Sequence, residues 1–136
     1  MTTASHFSQH DTPVTDGVRT VLRIEGLALL VVALLLYRNI QANWLLFAGL
    51  FLLPDISFAG YLSGPRIGAL AYNAAHSTVG PLGLAALALA YPLPHLLPIA
   101  LIWLAHVGFD RALGYGLKKA TGFRDTHLGR IGQSVQ

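Results

Sequence analysis

No cysteine occurs among the 136 residues, which excludes disulfides, thiolate metal sites, iron–sulfur clusters and a cysteine nucleophile. Charge is scarce as well. Asp, Glu, Lys and Arg together make up 11% of the chain, against about 25% in a soluble domain. So few charges leave too little polar surface to cover a globule in water. The chain also has no G-x-S-x-G elbow, Walker loop or dinucleotide fingerprint, so none of those chemistries is signalled. The first twenty residues, "MTTASHFSQHDTPVTDGVRT", lack the basic start and apolar centre of a cleaved signal peptide.

What the chain has is apolar length. Hydrophobic residues account for 54% and the mean hydropathy is +0.56, which together indicate a polytopic membrane protein. The net charge of +3 and pI near 9.6 are better read as membrane orientation than as a nucleic-acid footprint, and no nucleic-acid partner is expected. Four apolar segments follow the tail: Val21 to Tyr37, Trp44 to Leu62, Ile67 to Tyr91, and Leu96 to Leu117. Each is long enough to cross a hydrocarbon core of about 30 Å at about 1.5 Å per residue.

The expected fold is all-α, a four-helix transmembrane bundle with kinks at Pro54 and Pro81. Its organisation is a polar N-terminal tail (1–20), the bundle (21–117) and a basic C-terminal tail (118–136). Small residues in "GALAYNAAH" and "GLAALALA" suit close helix approach.

The basic residues orient the bundle. Arg19, Arg23, Arg66, Lys118, Lys119, Arg124 and Arg130 all fall on the side that would hold both termini and the second loop, whereas Arg38 stands alone in the first loop. By the positive-inside rule that side is cytoplasmic.

On this topology the intramembrane polar residues share one depth. Arg23 and Glu25 lie in the first turns of helix one. Asp55 lies about 10 Å from the cytoplasmic face, and Tyr72, Asn73 and His76 lie about 8 to 15 Å inside. His106 lies about 16 Å and Asp110 about 10 Å from the same face. His106 and Asp110 are four apart and share a helix face, as do Tyr72 and His76. Charged groups at this depth cost roughly 2.5–3.5 kcal/mol, so they should turn inward and meet.

Asp55, His76, His106 and Asp110 have the nitrogen and oxygen donors of a divalent metal site for Zn, Mn or Fe, built as helical bundles build carboxylate–histidine centres. Glu25 would be a further ligand or general base, His127 a second proton carrier, and Arg111 or Arg66 the holder of an anionic group. The chemistry would be metal-assisted hydrolysis of a lipid or amphiphile entering from the cytoplasmic leaflet. The same residues also suit proton relay or transport in a dimer, or a buried polar network in an accessory subunit of a membrane complex. Haem ligation by His76 and His106 is disfavoured by the neighbouring carboxylates. Single residues have plainer readings: ion pairs for Arg23 with Glu25 and for Asp110 with Arg111, a packing bond for Asn73, interfacial or core positions for Tyr61, Tyr72 and Tyr115. In the tails, Lys118 and Lys119 suit anionic headgroups. The C-terminal segment either caps the mouth of the site or lies on lipid. His6, His10, Asp11 and Asp16 are residues of an unstructured tail rather than ligands.

Three stretches, "PDISFAGYLSGPRIGALAYNAAH", "LIWLAHVGFDRALGYGLK" and "GFRDTHLG", resemble the signatures of a small bacterial membrane family, the domain of unknown function numbered 4260. The resemblance runs from about Arg23 to Gly132 and rests on Pro54–Asp55, on Tyr72, Asn73 and His76, on His106, Gly108, Asp110, Arg111 and the Gly114–Gly116 turn, and on Asp125 to Gly129. It implies a short multi-helix integral membrane protein and brings no activity with it. A weaker likeness to membrane-bound metal-dependent hydrolases is analogy.

Overall fold

The computed structural model describes residues 16–120, 124–127 and 129–130; His6, His10 and Asp11 lie outside them. Helix α1 (Asp16–Asn39) starts ahead of the apolar run. It is followed by α2 (Trp44–Leu50), a 3-10 helix (Leu53–Ser63), α3 (Pro65–His76), α4 (Val79–Ala90) and α5 (Leu96–Leu113). A two-residue antiparallel ladder closes the described chain, pairing β1 (Asp125–Thr126) with β2 (Gly129–Arg130). The protein is helical, and three helices are long and apolar enough to cross a membrane: Gly17–Asn39, Trp44–Ser63 taken through its change of helix type, and Leu96–Leu113.

The expected pair of kinks is replaced by two breaks, and proline accounts for both. Proline lacks an N–H and its ring strikes the carbonyl four residues back. Pro54 therefore cannot continue α2, which ends at Leu50, four residues upstream. The chain resumes as an eleven-residue 3-10 helix with Pro54 in its first turn, a long run for that conformation and one often found where function or strain intervenes. Pro81 acts in the same way at a distance. Ser77, its i−4 residue, is extended with φ −76° and ψ 144°, so α3 stops at His76 and α4 starts with Pro81 inside its first turn. The third apolar segment is thus two twelve-residue helices rather than one kinked span.

Helix α5 is the centre of the fold. From Ala100 to Gly108 all its residues except Trp103 are buried, the pattern of a helix covered on every side. α1 packs along one flank, α4 along another, and α2 touches it, while α3 packs on the 3-10 helix. The approach of α1 to α5 needs two glycines. A Cβ on Gly108 would lie 2.7 Å from the Leu30 nitrogen and 2.8 Å from the Gly26 carbonyl oxygen; one on Gly26 would lie 2.6 Å from Cβ of Arg111. Small residues at such points let backbones meet, the usual basis of helix association in lipid. The far side of α1 carries Val21, Ile24, Val31, Val32 and Leu35 exposed, a continuous apolar surface that water would not tolerate.

The 3-10 helix meets α3 through matched periods. Side chains three apart eclipse on a 3-10 helix, so Asp55, Phe58 and Tyr61 line one edge. Residues four apart share a face of α3, so Gly68, Tyr72 and His76 line the other. The Tyr61 ring lies against Gly68, where no Cβ fits, and the Phe58 ring lies 5.1 Å from Tyr72 and 6.2 Å from His76. This seam sets Asp55 beside His76.

Gly108→Ala is expected to push α1 from α5, because the atoms it would strike are backbone, and to cost about 1–3 kcal/mol. Gly83→Ala, on α4 with nothing within 4 Å of the added Cβ, should be neutral or stabilising by up to about 1 kcal/mol. Thermal unfolding of the purified protein in detergent compares the two; equal effects would contradict the glycine contact.

Candidate metal centre

Three elements contribute four residues to one polar cluster. Asp55 comes from the first turn of the 3-10 helix, His76 from the last residue of α3, and His106 and Asp110 from adjacent turns of α5. One donor atom from each lies within 4.8 Å of the other three. Nε2 of His76 is 3.1 Å from Nε2 of His106, 3.3 Å from Oδ1 of Asp55 and 3.4 Å from Oδ2 of Asp110. Nε2 of His106 is 3.4 Å from Oδ1 of Asp55 and 3.9 Å from Oδ2 of Asp110. The histidine side chains are 3% and 1% exposed, Asp110 15% and Asp55 36%, so the cluster opens toward its surroundings on the Asp55 side.

The tautomer of His76 decides what this arrangement can do. Its Nδ1 lies 3.0 Å from the Tyr72 carbonyl oxygen, one helical turn back. A carbonyl only accepts, so Nδ1 is the protonated nitrogen. In neutral His76 the Nε2 lone pair then points at another imidazole nitrogen and two carboxylate oxygens. Neutral His106 brings one ring proton, which its Nε2 can carry, so a single proton serves the His76 lone pair and two carboxylates. Two carboxylates whose oxygens lie within 4.8 Å of each other repel by several kcal/mol, about 3 or more, at an effective dielectric of about 20. A cation, or an added proton on an imidazole, resolves the conflict.

The donor set fits a metal. Tetrahedral zinc with bonds of about 2.0–2.2 Å requires donors about 3.4 Å apart, within the 3.1 to 3.9 Å range of the five separations above. The bond from His76 Nδ1 to a backbone carbonyl is the usual outer support of a metal-binding histidine. Nδ1 of His106, by contrast, is buried without a hydrogen-bond partner among the described residues. The Tyr72 hydroxyl lies 3.4 Å from Asp110 Oδ2, and its ring stacks on His76 at 3.8 Å between centroids.

Local caps hold these groups. α5 ends in a Schellman motif: Gly114 is left-handed at φ 94°, its N–H donates to the Arg111 carbonyl, and the Tyr115 N–H donates to that of Asp110. The chain is thereby turned back toward α3. There Asn73 grips the backbone of Lys118 at two points, accepting from its N–H at 2.6 Å and donating to its carbonyl at 2.8 Å. At the end of α3 the free Ala75 carbonyl accepts the indole N–H of Trp103.

Lys118 corrects the sequence reading. It is 5% exposed rather than spread on headgroups, and its Nζ lies 5.1 Å above the Tyr72 ring. Burial pulls its pKa below the ordinary lysine value, with Asp110 acting in the opposite direction. The sequence offered little to find it, since Lys118 and Lys119 are adjacent and only the Gly114 turn and the Asn73 clamp choose between them.

The other three expected site residues contribute no donor atom to the four-residue group. Glu25 is exposed on α1. Arg111 is turned toward α1, its Cβ against Gly26. His127 folds back on the C-terminal segment: its Nδ1 accepts from the Leu117 N–H at 2.8 Å and its own N–H donates to the Leu117 carbonyl at 3.0 Å. Lys118 also bridges Thr126, so this part of the tail is folded against the protein.

The chain belongs to the family described as domain of unknown function DUF4260, whose model matches residues 19–131. No curated protein and no solved structure matches it.

His127 generates a pH test. It is exposed overall, but the edge carrying Nδ1 is turned onto Leu117. Burial of that edge holds its pKa below the ordinary imidazole value, and Arg111 adds to the shift. A depressed histidine pKa means that the folded state prefers the neutral ring. Its contribution is therefore complete above about pH 6.5 and is lost as pH falls below that value. The protection factor of the Leu117 amide, its exchange rate corrected for intrinsic pH dependence, should fall on acidification, and in His127→Ala it should be low and independent of pH. A protection factor unchanged down to about pH 5 would contradict the assignment.

Proposed function

We propose that this member of the family is an integral membrane metalloprotein whose Asp55, His76, His106 and Asp110 bind one divalent cation, zinc in preference to manganese or iron, and that it hydrolyses a lipid or amphiphile. The observation that carries the reading is the convergence of four donors in which the His76 proton is already committed to Tyr72. Three helices long and apolar enough for a bilayer and the apolar outer face of α1 support insertion. With α3 and α4 together counted as one interrupted span, the chain crosses four times. The basic residues at both ends and in the second loop then put both termini and the centre on the cytoplasmic side of the inner membrane. Interrupted helices at membrane depth are tolerated where they line an internal site.

A cation held here would supply Lewis acidity toward a carbonyl or phosphoryl oxygen and activate water near neutral pH. The chain's own groups do the rest. Asp55, the most exposed donor, borders the way in. Lys118, beside Asp110 and Tyr72, takes the anion-holding role first considered for Arg111 or Arg66. Glu25, His127 and Arg111 serve from outside the donor group, as proton carriers and a second anionic contact.

The orphaned Nδ1 of His106 favours a second reading, because a metal-bound histidine normally has its other nitrogen engaged. In that reading an extra proton replaces the metal, and the cluster is a proton relay, or a structural network in a subunit of a larger membrane complex.

Elemental analysis of protein purified without chelators separates the two. About one divalent metal per chain is expected, falling at least tenfold in His76→Ala and in His106→Ala, with binding weakening as pH falls because the imidazoles must be deprotonated. Chelation should abolish hydrolysis of ester and phosphoester amphiphiles, and added zinc should restore it. Stoichiometric protein without metal, correctly folded by circular dichroism, would sink the metalloprotein reading.

A further inference from the structure

We infer that the apolar cavity beside the polar cluster is a binding site for a single acyl chain, which delivers the polar end of its own molecule to Asp55, His76, His106 and Asp110. The inference deepens the proposed function and rests on it for the identity of the polar end.

The cavity, of about 220 Å³, is lined by Leu50, Leu53, Pro54, Ala75, Ile102 and Trp103, with Ile99 at its edge. Its walls neighbour the cluster along three elements: Pro54 precedes Asp55, Ala75 precedes His76, and Ile102 lies one turn before His106 on the same face of α5. Leu50, where α2 ends, and Ala75, one residue before the end of α3, both line the cavity, and Pro54 is part of its wall.

Size and chemistry select the occupant. At about 30 Å³ for each group the size of a water molecule, 220 Å³ holds about seven such groups in a row. That is small for a whole drug-sized ligand, which needs roughly 300–1,000 Å³, and suits one stretch of hydrocarbon chain. Among the lining side chains the Trp103 indole N–H is the one polar hydrogen, and the Ala75 carbonyl already accepts it. No side-chain donor of the lining remains for a polar guest. Gly80 leaves no room for a Cβ against the Trp103 ring, so the indole forms a fixed wall. In a bilayer the apolar chain at hand is that of a lipid or amphiphile.

Trp103 also reports occupancy. The chain has two tryptophans, and Trp44→Phe leaves Trp103 as the only one. In nanodiscs of unbrominated phosphatidylcholine, a medium-chain fatty acid brominated near its methyl end should quench Trp103 saturably. The unbrominated acid should compete. Ala75→Phe and, independently, Ile99→Phe fill the space and should raise the half-saturating concentration at least about tenfold, the effect of denying contact to roughly two methylenes, while metal content stays unchanged. Quenching that rises linearly without saturation, and equally in the filled variants, would mean that the acid is merely dissolved in the bilayer, and would overturn the site. Saturable quenching in protein that holds no metal would uphold the chain site and defeat the metalloprotein reading instead, so the two failures are distinguishable.

Discussion

The bond from His76 Nδ1 to the Tyr72 carbonyl, 3.0 Å long, is the constraint on which the functional account depends. It spends the only ring proton of neutral His76 inside α3. What remains at Nε2 is a lone pair facing His106, Asp55 and Asp110. With that proton committed, the one ring proton of neutral His106 is left to serve the His76 lone pair and both carboxylates. The balance of charge then calls for something positive.

The fold is arranged around that point. α5 supplies two of the four groups from a helix buried on nearly every side, so their positions are fixed by packing against α1, α4 and α2 rather than by the cluster itself. Gly26 and Gly108 let α1 come close enough to lock α5. The 3-10 helix and α3 bring the other two groups through a seam whose repeats, three and four, coincide at Asp55 and His76. The interruptions at Pro54 and Pro81 terminate helices at the residues where donors are needed. Pro54 and Leu50 on one side, and Ala75 near the end of α3, also line the apolar cavity beside the cluster.

Much of this was legible in the sequence, for identifiable reasons. Spacing of four set His106 and Asp110 on one face, and the cost of a charge in lipid required Asp55 and His76 to turn inward toward them. Apolar length marked the membrane-crossing candidates. What the sequence concealed was the effect of each proline. The rule that proline bends a helix pointed to kinks, whereas the i−4 carbonyls at Leu50 and Ser77 became helix ends. Lys118 was hidden for a different reason: nothing local distinguishes it from Lys119, and its burial depends on Asn73, 45 residues earlier. Glu25 shares the depth of the site but is exposed on α1, while the face of α1 that meets α5 belongs to Gly26.

The most direct measurement of the central claim is X-ray absorption at the edge of whichever metal copurifies. Bond lengths of about 2.0–2.2 Å to two nitrogen and two oxygen donors, with the multiple-scattering signature of two imidazoles that drops to one in His106→Ala, are the expected result. A shell of oxygens alone, or an imidazole signature unaffected by that substitution, would contradict it.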